Sequence, residues 1–308
     1  MNAMQSIQAT NNNIVASESD FLSKFIQFVD ASERTADTYT KNIKQFYKFL
    51  LKNNISKPTR SDILAYKDEL KATHKSTTVQ SYIGALRLYF RFLASEGLYP
   101  NIADNIKGAK VSRENKKDYL TATQCKDLLH SIDQSSAKGL RNYAITALML
   151  TGGLRTIEVV RADLEDLRTL GGGTVLYIQG KGKQDKADFI KIPEATETAL
   201  RNWTKVMPVK DKALFQSLSN QNKGDRMTTR AISALIKDEL KAIGLDSDRL
   251  TAHSLRHTAV TLSLLGGGTI QQAQQFARHA NISTTQIYAH NLSKTSNPCG
   301  NMVANSIF

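Results

Sequence analysis

Apolar residues recur three and four apart through most of the chain, and alternate in only one place. Phe21, Leu22, Phe25, Ile26 and Val29 predict a helix over 21–29, with Ser19 placed to cap it. A second helix is predicted over Ala36–Leu51, with Tyr39, Ile43, Phe46, Tyr47 and Leu50 on one face. Thr59-Arg60-Ser61-Asp62 opens a short helix carrying Ile63, Leu64 and Tyr66. A fourth extends over Thr77–Ala94 through Tyr82, Leu86, Tyr89, Phe90 and Leu93, and stops at Gly97. Four helices with short connections predict a compact all-α domain over 18–106. Its inter-helix faces carry Lys41, Lys44, Lys48, Arg87 and Arg91, which suit a phosphate backbone and are equally ordinary as solvated charges.

Residues 1–17 are rich in Asn, Ser, Gln and Ala and predict a disordered tail. Residues 107–118 lack apolar periodicity and include Ser112-Arg113-Glu114-Asn115-Lys116-Lys117, which predicts a linker. A second domain then spans 119–290. Thr121 or Thr123 would cap its first helix through Leu128 and Leu129, and an apolar helix over Asn142–Leu150 follows. Val175–Ile178 and Phe189–Ile192 flank a Gly- and Lys-rich turn, the one convincing β signal, and predict a hairpin. After Pro193 helical spacing returns through Leu200 and Trp203, Ile232–Leu240, Val260–Leu265 and Ile270–Ala277. Residues 291–308 read as a tail, polar at first, turning at Pro298-Cys299-Gly300 and apolar at Met302, Val303, Ile307 and Phe308. The expected fold class is mainly α, with a small β-sheet or hairpin in the second of two domains.

Charge narrows the partner. The 308-residue chain has a formal net charge of +13, spread over both halves, which argues for a polyanion, nucleic acid foremost. No run of about 18 apolar residues would span a membrane. Met1–Asn13 lacks the apolar core of a signal peptide. Cys125 and Cys299 are too few and too far apart for a disulfide framework or metal cluster, so a reducing cytoplasm is expected. Gly171–Gly173 and Gly266–Gly268 lack the spacing of a phosphate-binding loop and read as turns, so no nucleotide cofactor is expected.

The candidate chemistry lies in the second half. Arg155 stands in Gly-Gly-Leu-Arg-Thr-Ile-Glu, His253 and Arg256 in His-Ser-Leu-Arg-His, His279 in Ala-Arg-His-Ala, and Tyr288 in Thr-Thr-Gln-Ile-Tyr-Ala-His. A phosphodiester repels nucleophiles by its own charge, and guanidiniums neutralise it through bidentate hydrogen bonds. Two fixed guanidiniums would stabilise a charged phosphorane more than the ground state. A tyrosine hydroxyl, a weak nucleophile until neighbouring cations or a base activate it, could attack there. His253 and Arg256, three apart, project from one helix face. Taken singly, each residue has a structural explanation: Arg155 could merely pair with Glu158, the histidines could be ordinary helix residues, and Tyr288 could be a core aromatic. Together and in this order they point to DNA strand transfer.

Those motifs resemble the tyrosine recombinase, or phage-integrase, family over nearly the full length, in its compact two-domain Xer-like form. They are Thr-Gly-Gly-Leu-Arg-Thr-Ile-Glu at 151–158, His-Ser-Leu-Arg-His-Thr at 253–258 and Ser-Thr-Thr-Gln-Ile-Tyr-Ala-His at 283–290. The resemblance implies a two-domain C-shaped clamp on double-stranded DNA, made of a helical core-binding domain and a catalytic domain. It implies Tyr288 as nucleophile forming a 3′-phosphotyrosyl link, Arg155 and Arg256 as phosphate clamps, and His253 assisting proton transfer. His279 would hydrogen-bond a phosphate oxygen. Lys181, in Gly180-Lys181-Gly182-Lys183, would protonate the leaving 5′-oxygen, with Lys183 as the alternative. No metal, ATP or other cofactor is implied, and a homo-tetramer on two DNA sites is. The resemblance favours docking of the tail in trans on a neighbouring subunit, the alternative being that it folds back on its own domain. Arg278 stands where the family commonly has glycine, and is read as a solvated side chain or an extra phosphate contact; Glu158 is read as orienting Arg155. A type IB topoisomerase, a catalytically silent DNA-binding regulator on the same fold, and a non-specific basic protein are the alternatives. The biological role is read as mobile-element integration and excision, or Xer-like resolution.

Overall fold

The computed structural model describes residues 17–110, 118–180, 185–208, 211–296 and 299–307. The chain divides into two compact units, residues 1–112 and 113–308. The predicted disordered tail, residues 1–17, lies almost wholly outside the described residues.

The first unit holds α1 (Ser17–Val29), α2 (Glu33–Lys52), α3 (Arg60–Thr73) and α4 (Ser76–Ser95). Helix α1 begins at Ser17, so Ser19 lies inside it rather than capping it. Helix α3 is 14 residues long, not short. Its start is fixed as the sequence predicts, with the Asp62 carboxylate accepting the Thr59 N–H at 2.7 Å. The apolar stripes converge on an aromatic core in which Phe25, Phe46, Tyr66, Phe90 and Phe92 are buried with Ile63, Ile83 and Leu86. Polar contacts set the pairing of α2 with α4: Asn42 donates to Ser81 at 3.1 Å, and the Tyr47 and Tyr89 hydroxyls meet at 2.5 Å. Beyond α4, Gly97 takes a left-handed φ of 67° and its N–H returns to the Ala94 carbonyl. Lys41, Lys44, Lys48 and Arg91 are exposed and Arg87 half-buried, so this basic set is available to solvent or to a phosphate backbone.

The second unit runs α5 (Ala122–Ser131), α6 (Ala137–Gly152), α7 (Thr156–Arg161), a three-stranded sheet, α8 (Glu194–Thr204), α9 (Thr229–Ala242), α10 (Ala252–Leu265), α11 (Ile270–Ala277), α12 (Ile282–Ser296) and α13 (Cys299–Ile307). Thr121 caps α5, accepting the Gln124 N–H while the Gln124 side chain accepts the Thr121 N–H. The sheet is antiparallel, in the order β1 (Leu167–Leu170), β2 (Gly173–Ile178), β3 (Asp188–Lys191). Strands β2 and β3 are the predicted hairpin. Strand β1 was not expected, because Arg168, Thr169 and Leu170 are all exposed and leave no alternating pattern to read. Gly171 and Gly172, with φ of 59° and 77°, turn β1 into β2. Leu176 and Ile190 face each other in register and join a core with Leu128, Leu148, Val159, Phe215, Ile232 and Leu255. The single tryptophan, Trp203 on α8, is fully buried there and donates its indole N–H to the Leu214 carbonyl at 2.8 Å. The tail is helical on both sides of residues 297–298, which are outside the described residues.

Candidate active site

Arg155 is placed by a glycine. Helix α6 ends at Gly152, and Gly153 takes a left-handed φ of 57°. The left-handed backbone disfavours a side chain at Gly153, and a Cβ there would stand 3.0 Å from the Phe276 ring, which would have to give way. Leu154 then plugs the core, and Arg155 is the extended N-cap residue just before α7. Buried Glu158 accepts the Arg155 backbone N–H at 2.8 Å and its Nη1 at 2.7 Å. The Arg155–Glu158 pair therefore exists, and it leaves the guanidinium partly exposed on its other side.

Arg256 lies on α10 and is almost wholly buried. Its Nη1 donates to the Gly153 carbonyl at 2.6 Å, and its Nη2 to the Ala277 carbonyl. Those carbonyls follow or end α6 and α11, the negative ends of two helix dipoles, which is why a cation can be held inside. Burial first, and the Arg155 charge second, pull Arg256 down to about 10, so it stays charged at neutral pH. His253, one turn earlier on α10, is exposed.

His279 follows α11, and its Nδ1 meets the Thr285 hydroxyl at 2.9 Å. Burial, then Arg256 and Arg155, pull its imidazole down to about 4 and hold it neutral. Tyr288, on α12, packs its ring among Val260, Ala273 and Ala277. Burial raises its hydroxyl, while the charges of Arg256 and Arg155 act in the opposite direction. The ring lies 6.1 Å from that of His279 and near-parallel to it. Arg155, Arg256, His279 and Tyr288 thus come within electrostatic reach of one another, and the His253 charge bears on His279 as well.

Lys181 and its alternative Lys183 lie outside the described residues. The chain flanking them is anchored: Arg161 donates to the Gly180 carbonyl at 3.2 Å, and Lys186 pairs with buried Asp163 at 2.7 Å and Asp166 at 2.5 Å. Among the described residues no three His, Cys, Asp or Glu gather as a metal site. No helix among them is long and apolar enough to cross a membrane.

Two residues have places the sequence did not indicate. His257 is buried with its ring centroid 4.3 Å from that of Tyr288, and it is not an ordinary surface helix residue. Arg278 is neither solvated nor free to reach a phosphate. It pairs with Glu158 at 3.1 Å and donates to the Gly152, Gly153 and Phe276 carbonyls. A histidine directly after Arg256 was the only local sign of the first, and a bulky residue at a glycine position the only sign of the second.

The phage integrase family matches residues 118–295, and its N-terminal SAM-like domain matches residues 20–97. The tyrosine recombinase XerC of Caldanaerobacter subterraneus subsp. tengcongensis is 30% identical over 301 residues, covering 88% of this chain and 82% of the relative. The tyrosine recombinase XerD of Listeria monocytogenes serotype 4b is 29% identical over 282 residues, covering 88% of this chain and 92% of the relative. In fold, the chain is similar to the XerH site-specific recombinase bound to palindromic difH substrate in a post-cleavage complex. The TM-score is 0.71 at 22% identity, over 85% of this chain and 78% of that one. A lambda integrase tetramer bound to a Holliday junction gives a TM-score of 0.68 at 17% identity, over 88% and 76% of the two chains. The chain belongs to the phage integrase family, the tyrosine recombinases, which are DNA-binding strand-transfer enzymes of site-specific recombination. Within that family it is of the compact, two-domain Xer type.

Proposed function

We propose that the chain recombines specific double-stranded DNA sites, with Tyr288 as the nucleophile. The observation that carries this reading is the placing of the hydroxyl of a largely buried tyrosine under the charges of both Arg256 and Arg155. In the reaction the Tyr288 oxygen attacks the scissile phosphorus, and the bond to the 5′-oxygen breaks. The products are a 3′-phosphotyrosyl link and a 5′-hydroxyl. Arg155 and Arg256 offset the charge that the phosphorane gains. His253, exposed beside them, takes the tyrosine proton, and neutral His279 donates a hydrogen bond to a phosphate oxygen. Lys181 gives its proton to the leaving 5′-oxygen. The 5′-hydroxyl of a partner duplex then attacks the phosphotyrosine and restores Tyr288. One diester replaces another, so neither ATP nor a metal is required.

The same reading gives a homo-tetramer on two sites in the bacterial cytoplasm, serving a mobile element or Xer-like resolution. Helix α13 exposes Met302, Val303 and Ile307, a face suited to docking in trans on a neighbouring subunit. The test is Tyr288→Phe on a nicked suicide duplex. It should bind like the wild type and form no covalent adduct. A phosphotyrosyl peptide mapping to Tyr143 or Tyr177 would move the nucleophile.

A further inference from the structure

Arg278 occupies a backbone conformation that favours glycine, with φ 54° and ψ 46°. An arginine there crowds its own backbone, so chain geometry gives no reason for it. The side chain supplies the reason. It is 11% exposed, and its two terminal nitrogens donate to the Gly152, Gly153 and Phe276 carbonyls and to Glu158 Oε2. These acceptors belong to the end of α6, the end of α11 and the first turn of α7. One guanidinium therefore ties together the segments that hold Arg155, Arg256 and His279.

Glu158 is the shared element. Its Oε1 accepts Arg155 Nη1, and its Oε2 accepts both the Arg155 backbone N–H and Arg278 Nη2. A buried carboxylate paired with Arg155 alone would cancel the charge that a phosphate is to meet. With Arg278 added, the trio keeps one net positive charge beside Arg256. Both terminal nitrogens of Arg278 are engaged, so it acts through Glu158 and the glycine turn, not on a phosphate directly.

We propose that Arg278 is a positioning residue for strand cleavage: it fixes Glu158 and the Gly152–Gly153 turn so that Arg155 is presented in one orientation, and it offsets the carboxylate's charge. This rests on the reading of Arg155, Arg256 and Tyr288 as the cleavage site. A glycine at 278 keeps the backbone and removes the clamp, so it separates the two roles.

The probe is a nicked suicide duplex carrying the sequence that full-length wild-type protein selects from a random pool. At saturating protein, Arg278→Gly should form the covalent adduct about 10- to 100-fold more slowly, the scale of a small misplacement of a reacting group. Duplex affinity should stay near wild type and the protein should remain folded at the assay temperature, because the fit of glycine to the left-handed backbone offsets part of the stability lost with the carbonyl donors. Arg278→Lys should recover part of the rate. In a Glu158→Gln background the same change should cost much less, because the pair acts as a unit. A wild-type rate in Arg278→Gly would overturn the proposal, as would a loss explained by affinity or unfolding alone. If the wild type itself forms no adduct, the recombinase reading fails. The charge effect is then judged on the free protein, by the NMR titration of His279, on which Arg278 acts directly. Arg278→Gly should raise that midpoint, and an unmoved midpoint would overturn the proposal.

Discussion

The Tyr288 ring lies 4.3 Å from the His257 imidazole, centroid to centroid, with the planes tilted by 41°. His257 is buried and neither of its ring nitrogens has a hydrogen-bond partner in the structure. The imidazole therefore serves here as a flat aromatic wall beside the tyrosine, and it must stay neutral to do so. Burial, reinforced by His253, pulls it down from 6.5 to about 4.

That shift sets a pH dependence. The folded value is below the unfolded one, so as pH falls the unfolded chain takes up the proton first. Stability from this group is intact above about 6.5 and is lost progressively down to about 4. The loss is on the order of 3 kcal/mol at most. Trp203 fluorescence in urea reports unfolding of the second unit. His257→Phe keeps the wall and should reduce the slope between those pH values, the remainder coming from His279, which is depressed over the same range; an unchanged curve would remove His257 from the account.

Arg155 and Arg256 should differ when truncated, although the sequence presents them as a matched pair. Arg155→Ala should cut adduct formation by about two to three orders of magnitude with little change in stability, because its guanidinium is partly exposed and Glu158 keeps Arg278. Arg256→Ala also strips donors from the buried Gly153 and Ala277 carbonyls. It should cost about 1–3 kcal/mol as well as activity. Equal thermal midpoints for the two variants would contradict this difference.

Asp163 ties the region below the β2–β3 connection. Its buried carboxylate receives Lys186 at 2.7 Å and Arg226 at 2.5 Å. Burial alone would raise its pKa, but the hydrogen bonds and charges of Lys186 and Arg226 overcome that and depress it. Its stabilisation is therefore present above the unfolded value and lost as pH falls through the folded one. Asp163→Asn should cost about 3 kcal/mol at neutral pH, near the low end for a broken buried pair because both partners reach water. Urea midpoints for the variant and wild type should converge on acidification.

Helix α13 gives the opposite expectation. Met302, Val303 and Ile307 are 61%, 56% and 68% exposed, so they bury little within the chain. Deleting residues 300–308 should leave the thermal midpoint and single-site binding unchanged. Cooperative occupancy of paired sites and strand exchange should weaken. A lower midpoint with normal cooperativity would place the helix against its own domain.

The sequence by itself determined the two all-α and mainly-α units, the β2–β3 hairpin, the opening of α3 at Thr59, and the order of Arg155, His253, Arg256, His279 and Tyr288. Each follows from local periodicity, turn chemistry or motif spacing, which are written in consecutive residues. The choice of Thr121 over Thr123 as the cap of α5 fell to the structure. Only the tertiary structure decided that Arg256 is buried while His253, three residues away, is exposed. Strand β1 was invisible because it exists by pairing with β2, not by any pattern of its own. Arg278 and His257 took their roles from partners distant in sequence: Glu158 is 120 residues from Arg278, and Tyr288 lies on another helix from His257. Burial and charge compensation depend on what the folded chain brings alongside, and no local window of residues contains that.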